Sequence, residues 1–307
     1  MDVLSDLLHR ARVTNAQVRQ LVWRAPWSMT FADAPPLTVV AALGGWATVR
    51  LDDDPQAGHV RLAAGDIALI SGTAQYTIAD SPETSPQVVV READARARHP
   101  LAPRTHGDGM PGATTLLRGA YELRGDVAER LLGTLTPLAV VPAGPRTRAV
   151  LDLLAAETAH EAPGQDAVLE RMLDLVLVLA LREWCARQDT RVPSWHRALA
   201  VPAIGDVLRL LHENPARRWT VAELAAKVGQ SRATFAAHFT AAVGEPPLGY
   251  LTGWRMTLAA DQLRDTDRTV AAVARDVGYE DAFAFSTAFK RARGASPANW
   301  RRAQRSS

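Results

Sequence analysis

Trp219-Thr220-Val221-Ala222-Glu223-Leu224-Ala225-Ala226-Lys227-Val228-Gly229-Gln230-Ser231-Arg232-Ala233-Thr234-Phe235-Ala236-Ala237-His238-Phe239 reads as two short helices joined by a sharp turn. Thr220 with Glu223 three residues on has the spacing of a capping box, in which each residue satisfies a backbone N–H of the other. Leu224, Val228, Phe235 and Phe239 repeat at helical intervals and supply one apolar face. Gly229 stands where the chain must turn, and glycine reaches positive φ at little steric cost. Ser231 is placed to cap the second helix, which is predicted to run to about Val243 before Gly244 ends it. This is the layout of a helix-turn-helix, whose second helix enters a DNA major groove.

One such match is weak, because any two short helices around a glycine imitate it. Here the pattern occurs twice. Val273-Ala274-Arg275-Asp276-Val277-Gly278 repeats Leu224-Ala225-Ala226-Lys227-Val228-Gly229, with Asp281 in the capping role and Phe285 and Phe289 in the roles of Phe235 and Phe239. The second turn is one residue longer. Between the repeats, Pro247 opens a long helix through Tyr250, Leu251, Trp254, Met256, Leu258 and Leu263. A rigid connecting helix fixes the separation of two readers, so that both can enter successive major grooves about one duplex turn (~34 Å) apart.

These residues carry a resemblance. The run Trp254-Arg255-Met256, the helix end Leu263-Arg264-Asp265-Thr266, Val277-Gly278-Tyr279-Glu280 through Ala288-Phe289-Lys290-Arg291, and the closing Gly294-Ala295-Ser296-Pro297-Ala298-Asn299-Trp300-Arg301-Arg302 resemble the AraC/XylS family of bacterial transcription regulators. The likeness runs continuously over about residues 200 to 305. It implies double-stranded DNA as partner. It also implies two helix-turn-helix units at about 220–243 and 269–293, with RNA polymerase a further candidate partner. Carried onto this chain, the groove-facing positions of the first reader are Ser231, Arg232, Ala233, Thr234, Ala236, Ala237 and His238. In the second reader they are Asp281, Ala282, Phe283, Ser286 and Thr287, with Lys290 and Arg291 better placed for the DNA backbone. Several positions that often carry Arg or Gln in the family are Ala or Thr here. Long bidentate side chains are what read guanine or adenine, so Arg232 is the leading candidate, His238 the next, and shape readout is expected to matter.

The N-terminal half has another texture. Leu37 to Leu43, Ala47 to Leu51, His59 to Leu62, Ile67 to Ile70 and Gln87 to Val90 read as strands, and Asp52-Asp53-Asp54-Pro55 and Ala64-Gly65-Asp66 as turns. Short, closely spaced strands from Gln17 to about Val141 predict a β-sandwich or jelly-roll barrel. Leu62-Ala63-Ala64-Gly65-Asp66-Ile67-Ala68-Leu69-Ile70 resembles the second conserved motif of cupins. With Ala25-Pro26-Trp27, Leu116-Leu117-Arg118-Gly119 and the stretch from Leu131-Leu132 to Pro142, it is similar to the cupin-type sensor domain of some AraC-family regulators. That likeness implies an unidentified small-molecule effector. Cupin metal sites use a His-x-His pair, and the chain has none. Ser71 and Tyr76 stand where the second motif would put its Pro and His. No metal or other cofactor is therefore expected, and His59, His99 and His106 read as loop or surface histidines. Residues 91–115 read as a long exposed loop.

From Gly144 the period turns helical. Thr147 to about His160 and Gln165 to Arg187 are predicted helices, the second apolar over more than one stripe. It either packs on the barrel of its own chain or forms a dimer interface. The resemblance favours a homodimer through residues 147–187. Residues 2–13 look like a short amphipathic helix, residues 189–202 like a linker, and Ile204 to Glu213 like the first helix of the DNA-binding unit. The expected architecture is thus α+β and multidomain. Residues 1–143 form a cupin-like effector domain, 144–199 a helical dimerisation segment and linker, and 200–307 an all-α DNA-binding domain.

Composition agrees. The 307 residues suit two domains. Residues 1–199 carry 20 Lys+Arg against 23 Asp+Glu and residues 200–307 carry 15 against 10, so the C-terminal part suits a polyanion. With one cysteine, Cys185, the chain cannot form an internal disulfide or a Cys-rich zinc site. The acidic start lacks the features of a signal peptide. No apolar run approaches the ~18 residues of a membrane span. A cytoplasmic protein is expected. No Gly-x-Ser-x-Gly, phosphate loop or dinucleotide fingerprint points to an enzyme. The alternatives are a metal-dependent cupin enzyme fused to a DNA-binding domain, and a dimeric DNA-binding protein that senses nothing.

Overall fold

The structure is a computed structural model. It describes residues 2–306 except 12–16, 54–57, 73, 92–104, 108–111, 134, 143, 159–161, 187–197 and 199–200. Most of the predicted 91–115 loop, His99 within it, and most of the 189–202 linker lie outside the described residues. The chain divides into two compact units, neither continuous in sequence.

One unit comprises Val13–Leu123 and Leu135–Arg191. Its strands are β1 (Gln17–Trp23), β2 (Ser28–Phe31), β3 (Leu37–Gly44), β4 (Trp46–Leu51), β5 (His59–Ala63), β6 (Ile67–Ser71), β7 (Tyr76–Ala79), β8 (Val88–Val90), β9 (Thr105–Gly107), β10 (Thr114–Tyr121) and β11 (Leu138–Val141). They form a six-stranded sheet in the order β11-β6-β3-β10-β1-β9 and a five-stranded sheet in the order β5-β4-β7-β2-β8. β9 lies inside the segment expected to be loop. Its register, parallel to β1 with Leu21 opposite His106, makes it an edge strand. One apolar core draws on both sheets, with Leu21, Val40, Ile70 and Leu116 from the first and Met29, Phe31, Val49, Tyr76 and Ile78 from the second. Side chains alternate along a strand. On β10, Leu116 is in this core, and Leu117 and Gly119 point the other way. Against Gly119 lies Leu173, so close that a Cβ there would overlap its side chain. Leu173 belongs to α4 (Gln165–Ala186), which follows α3 (Pro145–Thr158). Leu169, Leu173, Val176, Leu177, Ala180, Leu181 and Trp184 are the buried stripe of α4. Part of that helix therefore packs on its own chain's sheet, the first of the two readings above.

The second unit comprises Met1–Arg12, Arg124–Thr134 and Val192–Ser307. It contains α1 (Val3–Arg10), α2 (Asp126–Leu132), α5 (Pro202–Glu213), α6 (Val221–Lys227), α7 (Arg232–Val243), α8 (Pro247–Asp265), α9 (Val270–Asp276), α10 (Ala282–Arg293) and α11 (Pro297–Ser306). Sequence patterning missed α2, which interrupts what was read as continuous β texture. The helix α8 is the spine. Pro at its first position leaves no orphan N–H there, and its Tyr250, Leu251, Trp254, Met256, Leu258, Ala259 and Leu263 are all buried. Five of the described helices pack against it: α2, α7, α9, α10 and α11.

α1 and α2 are held to this spine by polar and aromatic contacts. The Asp261 carboxylate of α8 accepts the Asp126 and Val127 N–H groups at 2.7 and 3.1 Å, capping α2 from 135 residues away. Asp126 in turn pairs with Arg293 of α10 at 2.8 Å. Burial, opposed by Arg293 and reinforced by Asp261 and Glu129, pushes the Asp126 carboxyl up to about 6. The Arg130 guanidinium lies 4.9 Å from the Tyr250 ring centre and 5.7 Å from that of Trp254. Beneath sits His212 of α5, 0 % exposed. Its Nδ1 is 2.9 Å from Asp6 Oδ2, its Nε2 is 2.6 Å from the Tyr250 hydroxyl, and its ring stacks on Trp254 at 4.3 Å. A neutral imidazole satisfies this geometry, donating from Nδ1 to the carboxylate and accepting the tyrosine O–H at Nε2. Burial lowers the His212 pKa against the opposing pull of Asp6, which favours that form.

Candidate nucleic-acid interface

Each helix-turn-helix is set by local hydrogen bonds. In the first, Thr220 Oγ1 accepts the Glu223 N–H at 3.1 Å while Glu223 Oε2 accepts the Thr220 N–H at 2.9 Å. Gly229 turns the chain at φ +67°. Ser231 Oγ then accepts the Thr234 N–H at 3.2 Å, and α7 ends at Gly244 in the left-handed region. In the second, Thr269 Oγ1 accepts the Ala272 N–H at 3.2 Å. Gly278 turns at φ +87°, with the Ala216 backbone so close that a Cβ has no room. Both Asp281 oxygens accept, one from Phe283 N–H and one from Ala284 N–H, each at 3.0 Å. These two bonds hold the Asp281 carboxyl below its ordinary range.

Arg255, from the middle of α8, ties the two halves together. Its guanidinium donates to the Pro215 carbonyl at 2.7 Å and the Arg217 carbonyl at 2.8 Å, before the first unit, and lies 5.8 Å from the Tyr279 ring of the second. The core faces of α7 and α10 are alike. Phe235, Phe239, Phe285 and Phe289 are each 0 % exposed, so these rings are structural.

The opposite faces are open. On α7, Arg232, Ala233, Thr234, Ala237 and His238 are exposed and Ala236 is half-buried. Ser231 is exposed, but its hydroxyl serves the cap. On α10, Phe283, Thr287, Lys290 and Arg291 are exposed, and Ala282 and Ser286 are half-buried. The Ser286 hydroxyl donates back to the Ala282 carbonyl at 2.8 Å, and the Asp281 oxygens are committed to the helix end. The structure thus brings the residues named from sequence into two groups, one at each recognition helix. Four of them, Ser231, Thr234, Asp281 and Ser286, have their side-chain polar atoms already engaged, the Ser231 and Thr234 hydroxyls with each other at 2.8 Å. Ala284 is exposed beside Phe283 and was not singled out. An alanine carries no sequence signal, and only its position one turn before Ala288 shows that it shares this surface.

Among the described residues, no group of three or more His, Cys, Asp or Glu side chains could hold a metal ion. His59 is exposed on β5. Tyr76, at the place of a cupin histidine, is buried, and its hydroxyl accepts from Arg118 Nε at 2.7 Å. Cys185 is half-buried, and burial pushes its thiol up to about 12. A thiol so poorly ionised is a poor nucleophile. Among the described residues, no helix is long and apolar enough to cross a membrane.

A cupin family model matches residues 2–186, and a helix-turn-helix domain model matches residues 224–303. That pairing defines a class of protein, a DNA-binding transcription regulator with a cupin domain. A protein of Streptomyces antibioticus named as an AraC-like transcription regulator is 35 % identical over 307 residues, covering 98 % of this chain and 99 % of its own. One of the same description from Streptomyces lividans is 36 % identical over 306 residues, covering 98 % of each. The chain belongs to the AraC family of transcription regulators. Among solved structures, the DNA-binding domain of AdpA in complex with a target DNA is 33 % identical. The match covers 33 % of this chain and 91 % of that one, with a TM-score of 0.32.

Proposed function

We propose that this regulator reads its operator with α7 and α10 together, in successive major grooves, and that a small molecule bound by the cupin domain sets the response. The observation that carries the first part is the matched pair of open helix faces. α7 and α10 both bury two phenylalanines one turn apart and expose the opposite side. On that reading Arg232, Thr234 and His238 meet base edges, and Lys290 and Arg291 meet phosphates. Helix N-termini and basic side chains set the register, and groove-facing side chains discriminate.

Effector binding is supported by the chemistry of the sheet core. Arg118 is 1 % exposed, with the Tyr76 hydroxyl at 2.7 Å and the Phe31 ring centre at 4.6 Å. Among the described residues of that unit it is the charged side chain that is fully buried. A charged group is costly to bury, and such groups are common at binding sites. A homodimer is supported by the outer side of α4. There Val168 and Leu175 are 43 % and 46 % exposed, and with Met172 and Leu179 they fall at the spacing of a helix–helix seam. The family's role in transcription supports RNA polymerase as a further partner and a cytoplasmic location.

Selection of duplexes from a random pool by the full chain tests the operator reading. A single enriched sequence with two recognition elements about one helical turn apart is expected. Enrichment of one short element alone would remove α10 from the reading. A panel of metabolites screened by thermal shift tests the effector, since ligand binding raises the stability of the folded state.

A further inference from the structure

Phe283 is 79 % exposed, the highest value among the large apolar side chains of the described residues. Leaving a phenyl ring in water forgoes most of the stabilisation its burial gives, so its cover is to be sought outside the chain. Its position says where. Phe285 and Phe289 mark the core side of α10. At 100° per residue, Phe283, Thr287, Lys290, Arg291 and Gly294 fall on the far side. They line a shallow hollow of about 500 Å³. Two further observations limit what this surface can recognise. The first two turns of α10, Ala282 to Phe289, contain no Arg, Lys, Asn, Gln, Asp or Glu. The polar atoms that stand nearby are engaged, since Ser286 Oγ donates to the Ala282 carbonyl at 2.8 Å and both Asp281 oxygens cap the helix at 3.0 Å. What is left to meet a base edge is the Phe283 ring, the Ala284 methyl and Thr287, which offers a methyl beside its single hydroxyl. One turn further, Lys290 and Arg291 give the same surface a positive rim.

A surface that is apolar at its centre and cationic at its edge complements one feature of duplex DNA, the 5-methyl group of thymine flanked by phosphates. In the major groove that methyl is the only apolar mark among the bases. We infer that the second recognition helix selects its half-site by seating a thymine 5-methyl group against Phe283, with Ala284 and Thr287 as its walls, while Lys290 and Arg291 hold the phosphates. This rests on the operator reading proposed above and deepens it. The first helix, with Arg232 and His238, reads hydrogen-bonding groups. The second reads methyl groups. The two halves of the site would then differ in chemistry as well as in sequence.

The test uses the full chain and the duplex enriched by selection. Each thymine is replaced in turn by deoxyuridine, which removes only the methyl group, and binding is measured at one salt concentration with the wild type and Phe283→Ala. For wild type, one or two positions in one half-site are expected to lose about four-fold in affinity, the worth of one buried methyl-sized group. For Phe283→Ala the same replacements should cost nothing, and Phe283→Leu should retain part of the penalty. Placing 5-methylcytosine, paired with guanine, at such a position should recover affinity over cytosine. Because Phe283 is exposed, the variant should keep the wild-type melting temperature. The inference is overturned if uridine is tolerated everywhere, or if its penalty is the same in Phe283→Ala. It is also overturned if Phe283→Ala binds the duplex normally yet loses transcriptional activity, which would give the ring to a protein partner or a second copy. Failure to enrich any duplex would instead remove the operator reading itself, and this inference with it.

Discussion

Arg232 and His212 show how differently two side chains of one unit are used. Arg232 is exposed at the start of α7, just after a cap that fixes the helix end. Replacing it by Ala should leave folding unchanged and weaken operator binding by about 1–3 kcal/mol, the range for a lost bidentate base contact. A titration by fluorescence anisotropy measures this, and normal binding would shift the first reader to His238. His212 makes no such outward contact. It is held by Asp6 on one side and the Tyr250 hydroxyl on the other, its ring stacked on Trp254, and the charges of Arg10 and Arg130 oppose its protonation. Its Ala variant takes one partner from the buried Tyr250 hydroxyl and one from the Asp6 carboxylate, which keeps Arg10 at 2.7 Å, and about 1–3 kcal/mol of stability should be lost. Burial holds the folded pKa of His212 below the usual 6.5. The unfolded chain therefore takes up the proton first as pH falls. The contribution of this group is intact above about pH 6.5 and declines below it. Melting followed from pH 7.5 to 5.5 should show that decline in wild type and a smaller one in His212→Gln.

At the scale of elements, what the sequence discloses depends on whether an element is stabilised by its neighbours in the chain. The helices α6, α7 and α8 are announced by Thr220 with Glu223, by Ser231 and by Pro247, all within four residues of the ends they fix. Thr220→Ala should accordingly cost the first unit about 1 kcal/mol, visible as a lower melting temperature with normal helical content when folded. The helix α2 gives no such notice. Gly125 offers it no capping side chain, and the carboxylate that does the capping is Asp261, far along the chain. For the same reason the Asp6–His212 pair, 206 residues apart, has no local signature. β10 was hidden differently: its Arg118 and Gly119 break the apolar alternation that marks a strand, one because it is charged and buried, the other because Leu173 needs the space. The open faces of α7 and α10 were legible, since two phenylalanines one turn apart fix the opposite side by period alone. The caps made by Ser231 and Asp281 were legible too, but the engagement of the Thr234 and Ser286 hydroxyls was not, because it depends on rotamers.

For the whole molecule, assembly and boundaries are the open quantities. If α4 pairs with a second copy through Val168, Met172, Leu175 and Leu179, then Leu175→Glu should convert a dimer into a monomer in sedimentation while leaving the circular dichroism of the folded chain unchanged. A wild type that is monomeric at all concentrations would remove the dimer from the proposal. A different consequence follows from α1 and α2, which come from the region matched by the cupin model yet fold in one unit with the helix-turn-helix pair. A worker excising residues 200–307 as a free-standing fragment would leave His212 without Asp6, Arg293 without Asp126, and Tyr250 and Trp254 without Arg130. Such a fragment should melt at a lower temperature than the same helices in the full chain, and its aromatic flank should make it prone to self-association. The motif and the foldable body have different edges, and scissors guided by the first would cut into the second.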